Sequence, residues 1–175
     1  MKDKLIRIAL IGPESTGKSD LSRDLAAYFQ TAWVPEFGRG YLTSLQRPYE
    51  KEDLFEIAKG HLLSEEIISA DAKKFLFIDT EMIMMKIWLQ VVYGETSEWL
   101  EEKIGQNKYD LYLLTYPDIP FVPDPLRENP HRRDYLYNLH RDELDNRGLR
   151  YEVITGTKDR LKNAIEAVQR HYLQR

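Results

Sequence analysis

The sequence predicts an α/β fold: a three-layer αβα sandwich on a five-stranded parallel sheet. Two features point there. Five short apolar runs, IRIALI at 6–11, TAWV at 31–34, FLFID at 75–79, DLYLLT at 110–115 and YEVIT at 151–155, alternate with segments of helical spacing. Each run is apolar almost throughout rather than at every second residue, which is the pattern of a strand covered on both faces. Parallel neighbours need crossover connections, and the intervening segments supply them with a right-handed sense.

Taken in chain order, Leu21, Leu25 and Phe29 repeat every four residues after the first strand, and Leu54, Ala58 and Leu62 do so after the second. Ile83, Ile87 and Val91 precede Gly94, a C-cap signal. Leu136, Leu139 and Leu144 run up to Gly148, and Leu161, Ile165 and Val168 form the last helical stripe. Residues 117–130, PDIPFVPDPLRENP, hold five prolines. Proline lacks an amide donor and clashes with a preceding turn, so this stretch reads as a surface loop.

The length of 175 residues suits one compact domain, residues 1–175. Twenty-five Lys and Arg stand against twenty-nine Asp and Glu, a net charge of −4, which is not the basic footprint of a nucleic-acid binder. The longest uncharged run, Leu25 to Pro35, is half the length of a membrane-spanning helix. Without Cys there is no disulfide framework, thiolate metal site or Cys nucleophile, and His61, His131, His140 and His171 lack metal-ligand spacing. The apolar stretch after Met1 is too short for a signal-peptide core. A soluble, cytoplasmic protein is the expectation.

Directly after the first strand comes Gly12-Pro13-Glu14-Ser15-Thr16-Gly17-Lys18-Ser19, a match to GxxxxGK[ST], followed at once by a helical pattern. Strand, loop and helix are the context a P-loop requires. Its amides curl around a polyphosphate, the helix N-terminus adds partial positive charge, Lys18 reaches the β- and γ-phosphates and Ser19 ligates Mg²⁺. Chance matches occur in on the order of one unrelated chain in a few hundred, given glycine's frequency. Leu21, on the first turn of the helix, is grouped with the loop. Lys18 is expected to be solvent-accessible, with no core role.

Asp79 ends the third strand, where a P-loop protein places a second Mg²⁺-side carboxylate; the competing role is an N-cap for the next helix. Two other matches are discounted. Asn107-Lys108-Tyr109-Asp110 and Asp145-Asn146-Arg147-Gly148 resemble guanine-reading and switch motifs of GTPases, but their order is reversed and the first precedes its strand.

Asp124, Arg127, Glu128, Arg132 and Arg133 lie in or beside the proline-rich loop, which reads as a lid over about 117–133. Arginine forks neutralise charge on a phosphoryl group in flight, and a mobile loop delivers them when substrate binds. Residues 127–175 hold eleven basic and eight acidic groups, leaving fourteen basic against twenty-one acidic in residues 1–126. Glu36 follows the second strand at the ligand-binding edge of the sheet and could accept a proton from an attacking hydroxyl; otherwise it merely pairs with Arg39. Phe37, Tyr41, Trp88 and Tyr116 fall near the same edge, and Glu81 with Glu36 would give it negative charge.

GPESTGKS, VPEFGR, FIDTEMIMMKIW with YG after it, YDLYLLTYPDIPFVPD-LR and VITGTKDR resemble, in order and over nearly the whole chain, the ribosylnicotinamide kinase domain of the NadR type. That resemblance implies a P-loop kinase fold using ATP and Mg²⁺ to phosphorylate the 5′-hydroxyl of nicotinamide riboside. It implies Gly12 to Ser19 as the phosphate loop, Glu36 and Arg39 on the substrate side, Asp79 on the metal side, Trp88 against the ring and Arg127 in the lid. Thr155, Gly156 and Thr157 would lie against adenine. Apart from the resemblance, Arg132 beside the proline-rich loop is expected on the nucleotide, and Tyr41 and Tyr116 at the sheet edge toward the acceptor. Pro125-Leu126 departs from the glycine that the family tends to place before the lid arginine. The alternatives are a kinase of another nucleoside or small alcohol, or a nucleotide-binding switch that transfers nothing.

Overall fold

A computed structural model describes residues 4–106 and 109–173. Five strands, β1 (Ile6–Ile11), β2 (Ala32–Val34), β3 (Phe75–Asp79), β4 (Leu111–Thr115) and β5 (Tyr151–Ile154), form one sheet in the order β2-β3-β1-β4-β5. Every pairing is parallel. The expected strands are therefore all present, shortened by a residue or so at three of their ends.

The helices are α1 (Lys18–Tyr28), α2 (Phe37–Ser44), α3 (Lys51–Ser69), α4 (Met82–Tyr93), α5 (Glu98–Gly105), α6 (Arg133–Asn146) and α7 (Arg160–Tyr172). β1 divides its side chains between the two faces with the period of two that strands impose. Ile8 and Leu10 pack with Leu21 and Leu25 of α1 and Ala164 and Val168 of α7. Ala9 and Ile11 pack with Leu54 of α3, Ile83 of α4, Leu100 of α5 and Leu136 of α6. β3 is buried along its whole length, as its unbroken apolarity requires.

Two helices escape the apolar spacing. α2 spans only eight residues, two of them glycines, and its apolar residues Phe37, Tyr41 and Leu42, which pack on the core, are too few for a repeat to show. α5 is equally short, but its signals are readable: Ser97 accepts the Leu100 amide at 3.3 Å as an N-cap, and Leu100 and Ile104 face the core one turn apart. Gly94 ends α4 in the left-handed conformation, as its position suggested. Residues 117–132 form neither helix nor strand. Among the described residues no helix is long and apolar enough to cross a membrane.

Register sets the site. Leu10 stands opposite Asp79 and Ile11 opposite Leu114, so the ends of β1, β3 and β4 lie side by side where the phosphate loop leaves the sheet. Of the discounted GTPase-like matches, Asn107 and Lys108 lie outside the described residues. Asp110 accepts the Arg7 amide at 3.0 Å, and Asp145 accepts from the Tyr151 hydroxyl, so both are structural.

Candidate active site

The loop after β1 curls because three of its residues adopt positive φ: Gly12 at 141°, Ser15 at 56° and Gly17 at 79°. Left-handed backbone turns successive amides inward, which is how a chain makes an anion cradle. Gly17 is also the N-cap of α1, so the helix points its positive end into the same space. Thr16 braces the loop: its hydroxyl donates to the Pro13 carbonyl at 2.8 Å and meets the Thr115 hydroxyl at 2.6 Å. Lys18 is buried rather than accessible, because its ammonium folds back onto the Pro13 carbonyl at 2.7 Å. Burial pulls its pKa down, against the pull of Asp79 and Glu36.

A cavity of about 240 Å³ opens over this loop. Gly12 to Asp20 form one end; Glu36, Gly38, Arg39 and Leu42 come from α2 and its approach, Ile57 and His61 from α3, Thr80 from the end of β3, Met84, Trp88 and Val91 from α4, and Leu126 to Asn129 from the loop before α6. Leu136 and His140 of α6 close it.

Asp79 is not the helix cap. Glu81 takes that role, both its oxygens accepting the Ile83 amide at 3.0 Å, and burial pushes its carboxyl up to about 8. Glu81 is thus turned into α4 and supplies no charge to the cavity, contrary to the sequence reading. Asp79 is left free to receive the Ser19 hydroxyl at 2.5 Å, while its other oxygen is buried without a partner. Burial and the nearby Glu36 push Asp79 up to about 6. A hydroxyl and a carboxylate side by side, with one carboxylate oxygen unsatisfied, are the donor set that a largely hydrated Mg²⁺ takes, so these residues fit that ion.

Glu36 follows β2 by two residues and serves as the N-cap position of α2, which turns it toward the cavity. Arg39 lines the cavity too, but its partner is Asp124 of the 117–132 loop at 2.9 Å rather than Glu36. Arg127 also lines the cavity, with one nitrogen donating to the Val122 carbonyl. The 117–132 loop, read from the sequence as a lid, is joined to the phosphate loop directly. Ser15 Oγ accepts the Val122 amide at 2.9 Å, the Glu14 carboxylate accepts the Glu128 and Asn129 amides, and Arg133 donates to the Ser15 carbonyl at 3.1 Å.

Several expected site residues lie elsewhere. Leu21 packs in the core under α1. Tyr41 donates to Asp53 at 2.8 Å, part of an anchor with Arg47. Tyr116 is 40% exposed and meets Tyr137 edge-on. Arg132 covers the Tyr135 ring at 4.8 Å. Thr155, Gly156 and Thr157 stand outside the cavity. They flank it through Arg160, whose guanidinium donates to the Gly156, Ile154 and Tyr116 carbonyls and pairs with Asp118. The same arginine lies within 4.0 Å of where a Cβ on Gly17 would stand.

Sequence reasoning missed two histidines. His140 presents Nδ1 to the Leu136 carbonyl at 2.6 Å, which fixes that nitrogen as the donor, and Nε2 is buried without a partner. His61 stands beside the Thr80 backbone, yet neither ring nitrogen makes a hydrogen bond of good geometry. Burial holds both imidazoles down to about 4, so both are neutral.

Strand, phosphate cradle and helix on a parallel sheet, with a cavity at the C-terminal edge, define a P-loop nucleotide-binding protein of kinase-like fold. Residues 7–160 match the family described as AAA domain, and the chain belongs to it. The trifunctional NAD biosynthesis/regulator proteins NadR of Salmonella typhimurium and Escherichia coli are each 31% identical over 124 residues, 69% of this chain. The match spans 30% of the length of those relatives. A crystal structure of NadR protein in complex with NR superposes with a TM-score of 0.82 at 20% identity, over 97% of this chain and 51% of that one. Thymidylate kinase from Ehrlichia chaffeensis gives 0.65 at 14% identity, over 97% and 99%. The resemblance to the NadR type and the parallel αβα fold are therefore both borne out.

Proposed function

We propose that this chain is a kinase that moves the γ-phosphoryl group of ATP to the 5′-hydroxyl of nicotinamide riboside. One observation carries the reading: Lys18, Glu36, Asp79, Trp88 and Arg127, from five separate parts of the chain, line or adjoin one cavity beside the phosphate cradle. A switch that only binds nucleotide has no use for a cavity that runs on from the phosphate cradle to a further carboxylate and an aromatic wall. The curated relatives are named for NAD biosynthesis, which supports a nicotinamide-bearing acceptor.

In this reading Lys18 leaves the Pro13 carbonyl for the β- and γ-phosphoryl oxygens. Glu36 accepts the proton of the 5′-hydroxyl as its oxygen attacks phosphorus, and the bond to the ADP oxygen breaks in line. Arg127 meets the charge on the moving phosphoryl group when the lid closes. Ser19 and Asp79 would hold Mg²⁺, whose chemistry there is to neutralise phosphate charge. Adenine would leave the cavity past Gly17 toward the 155–157 turn.

The test is ADP release from ATP with and without nicotinamide riboside. Acceptor-dependent turnover, with nicotinamide mononucleotide as product, is expected. Turnover indifferent to every nucleoside offered would replace the kinase with a nucleotide-binding switch.

A further inference from the structure

Trp88 lines the cavity nearly two turns into α4, the helix that follows Asp79. Its indole N–H, the one donor a tryptophan side chain has, is already given to the Tyr49 hydroxyl at 3.2 Å, and the two rings meet edge-on with centroids 5.3 Å apart. What Trp88 offers a ligand is therefore ring surface. Tyr49 passes the bond on. Burial pushes its hydroxyl up to about 12, so it keeps its proton, and it donates to Glu128 Oε2 at 2.9 Å.

Glu128 is exposed, lines the cavity and is fixed at its other end as well. Its backbone amide donates to the Glu14 carboxylate of the phosphate loop at 3.1 Å, so main chain and side chain are both held. The carboxylate thus stands no more than two hydrogen-bond lengths from the indole nitrogen. The cations that line the cavity are engaged elsewhere: Lys18 with the Pro13 carbonyl, Arg39 with Asp124 and Arg127 with the Val122 carbonyl. An aromatic face with a carboxylate pinned beside it suits a flat organic cation. The ring quadrupole attracts the charge, and the carboxylate adds a Coulomb attraction that salt screens. A neutral ring would gain only the stacking.

We propose that Glu128, held by Tyr49 beside Trp88, makes the acceptor site selective for a positively charged ring, an inference that rests on the reading above in placing the acceptor's ring at Trp88. The negative charge that the sequence assigned to Glu81, which is turned into α4, comes instead from the loop before α6. Tyr49 is a positioning residue here: it touches no ligand and acts by holding the carboxylate to the indole.

Two measurements test it. The first is kcat/KM for nicotinamide riboside and for its uncharged dihydropyridine counterpart in wild type, Glu128→Gln and Tyr49→Phe. Glu128→Gln keeps the shape and removes the charge, and should cost the charged riboside about fivefold, the upper worth of an exposed charge pair, with the uncharged one nearly unchanged. Tyr49→Phe should act in the same direction and more weakly. Equal losses on both ribosides would make Glu128 a hydrogen-bond partner or a prop for its loop and overturn the proposal. The second needs no turnover: the dissociation constants of 1-methylnicotinamide, a cation, and of neutral nicotinamide, followed by NMR on the Trp88 indole proton. Wild type should hold the cation more tightly, less so as salt is raised, and Glu128→Gln should remove the difference. A wild type without that preference overturns the proposal. A cation preference in a protein that does not phosphorylate nicotinamide riboside would remove the acceptor assigned above and leave the charge selectivity standing.

Discussion

The two ends of the cavity are built in different ways. The phosphate end comes from nine consecutive residues, Gly12 to Asp20, and works largely through backbone: positive φ, amides and a helix terminus. The other end, where the proposed acceptor would lie, is assembled from α2, α3, the end of β3, α4, the 117–132 loop and α6, and is made of side chains that share no local pattern. A backbone cradle binds whatever carries phosphates, whereas an assembled wall can be changed one side chain at a time. Nucleotide binding should therefore be stubborn under mutation and acceptor choice pliable.

The largest effect should come from Lys18→Met, which keeps length and removes charge. Loss of several kcal/mol of transition-state stabilisation would leave turnover near background. Lys18 is buried, so thermal unfolding of the variant should accompany the assay to separate lost chemistry from lost fold. Near wild-type turnover by a folded variant would remove Lys18 from the phosphates and with it the kinase reading.

At the acceptor end Glu36→Gln should lower kcat by roughly 10² to 10⁴-fold and leave KM almost alone. If Asp79→Asn is instead the more damaging change and Glu36→Gln nearly silent, Glu36 is structural and the proton goes elsewhere. Arg127→Ala should lower kcat about tenfold to a hundredfold, in line with a hydrogen bond to a charged group, with little change in the ATP dissociation constant. Equal losses in rate and binding would move Arg127 into the resting nucleotide site.

Trp88 sharpens the comparison further. Its indole nitrogen donates to Tyr49 at 3.2 Å, which holds the ring upright in the wall. A cation over an aromatic face gains about 0.5 to 2 kcal/mol. Trp88→Leu should therefore weaken nicotinamide riboside a few-fold to about thirtyfold, and weaken its uncharged dihydropyridine counterpart less. Equal losses in kcat/KM would mean that Trp88 only packs.

The smallest effect is on stability. Unfolded histidine takes up its proton near 6.5, but His61 and His140 in the fold do so only near 4. Between those values the unfolded chain binds more protons than the folded one, so stability falls as pH drops through that window. His140→Phe should make the decline shallower by up to about one proton. Urea unfolding at several pH values would show it, and an unchanged slope would mean that His140 is protonated in the fold.

The same division governs what could be read in advance. Gly12 to Ser19 was legible because its function is local, and Asp79 because it ends an unmistakable strand. Glu36, Arg39, Trp88 and Arg127 reach the cavity as placed. Tyr41, Tyr116 and the 155–157 turn do not, since sequence places a residue near an edge without saying which way its side chain points. Lys18 looked exposed because the motif gives the order of the loop and not its curl, which brings the Pro13 carbonyl to the ammonium. His61 and His140 are lone residues in helices, and only tertiary packing strips them of partners. Arg160 carries no motif, yet it knits the 155–157 turn to Asp118 beneath the lid.

Gly12 has a consequence for how such a protein can change over generations. Its φ of 141° is already foreign to any residue with a side chain, and a Cβ there would stand 2.4 Å from the Thr115 hydroxyl and 2.8 Å from the Thr115 carbonyl oxygen. Trimming Thr115 would clear only the first obstacle, since the carbonyl belongs to the strand itself. Any replacement here meets strand backbone whatever side chain stands at 115. Inheritance can therefore rework the acceptor wall freely while the doorway to the phosphates stays as it is.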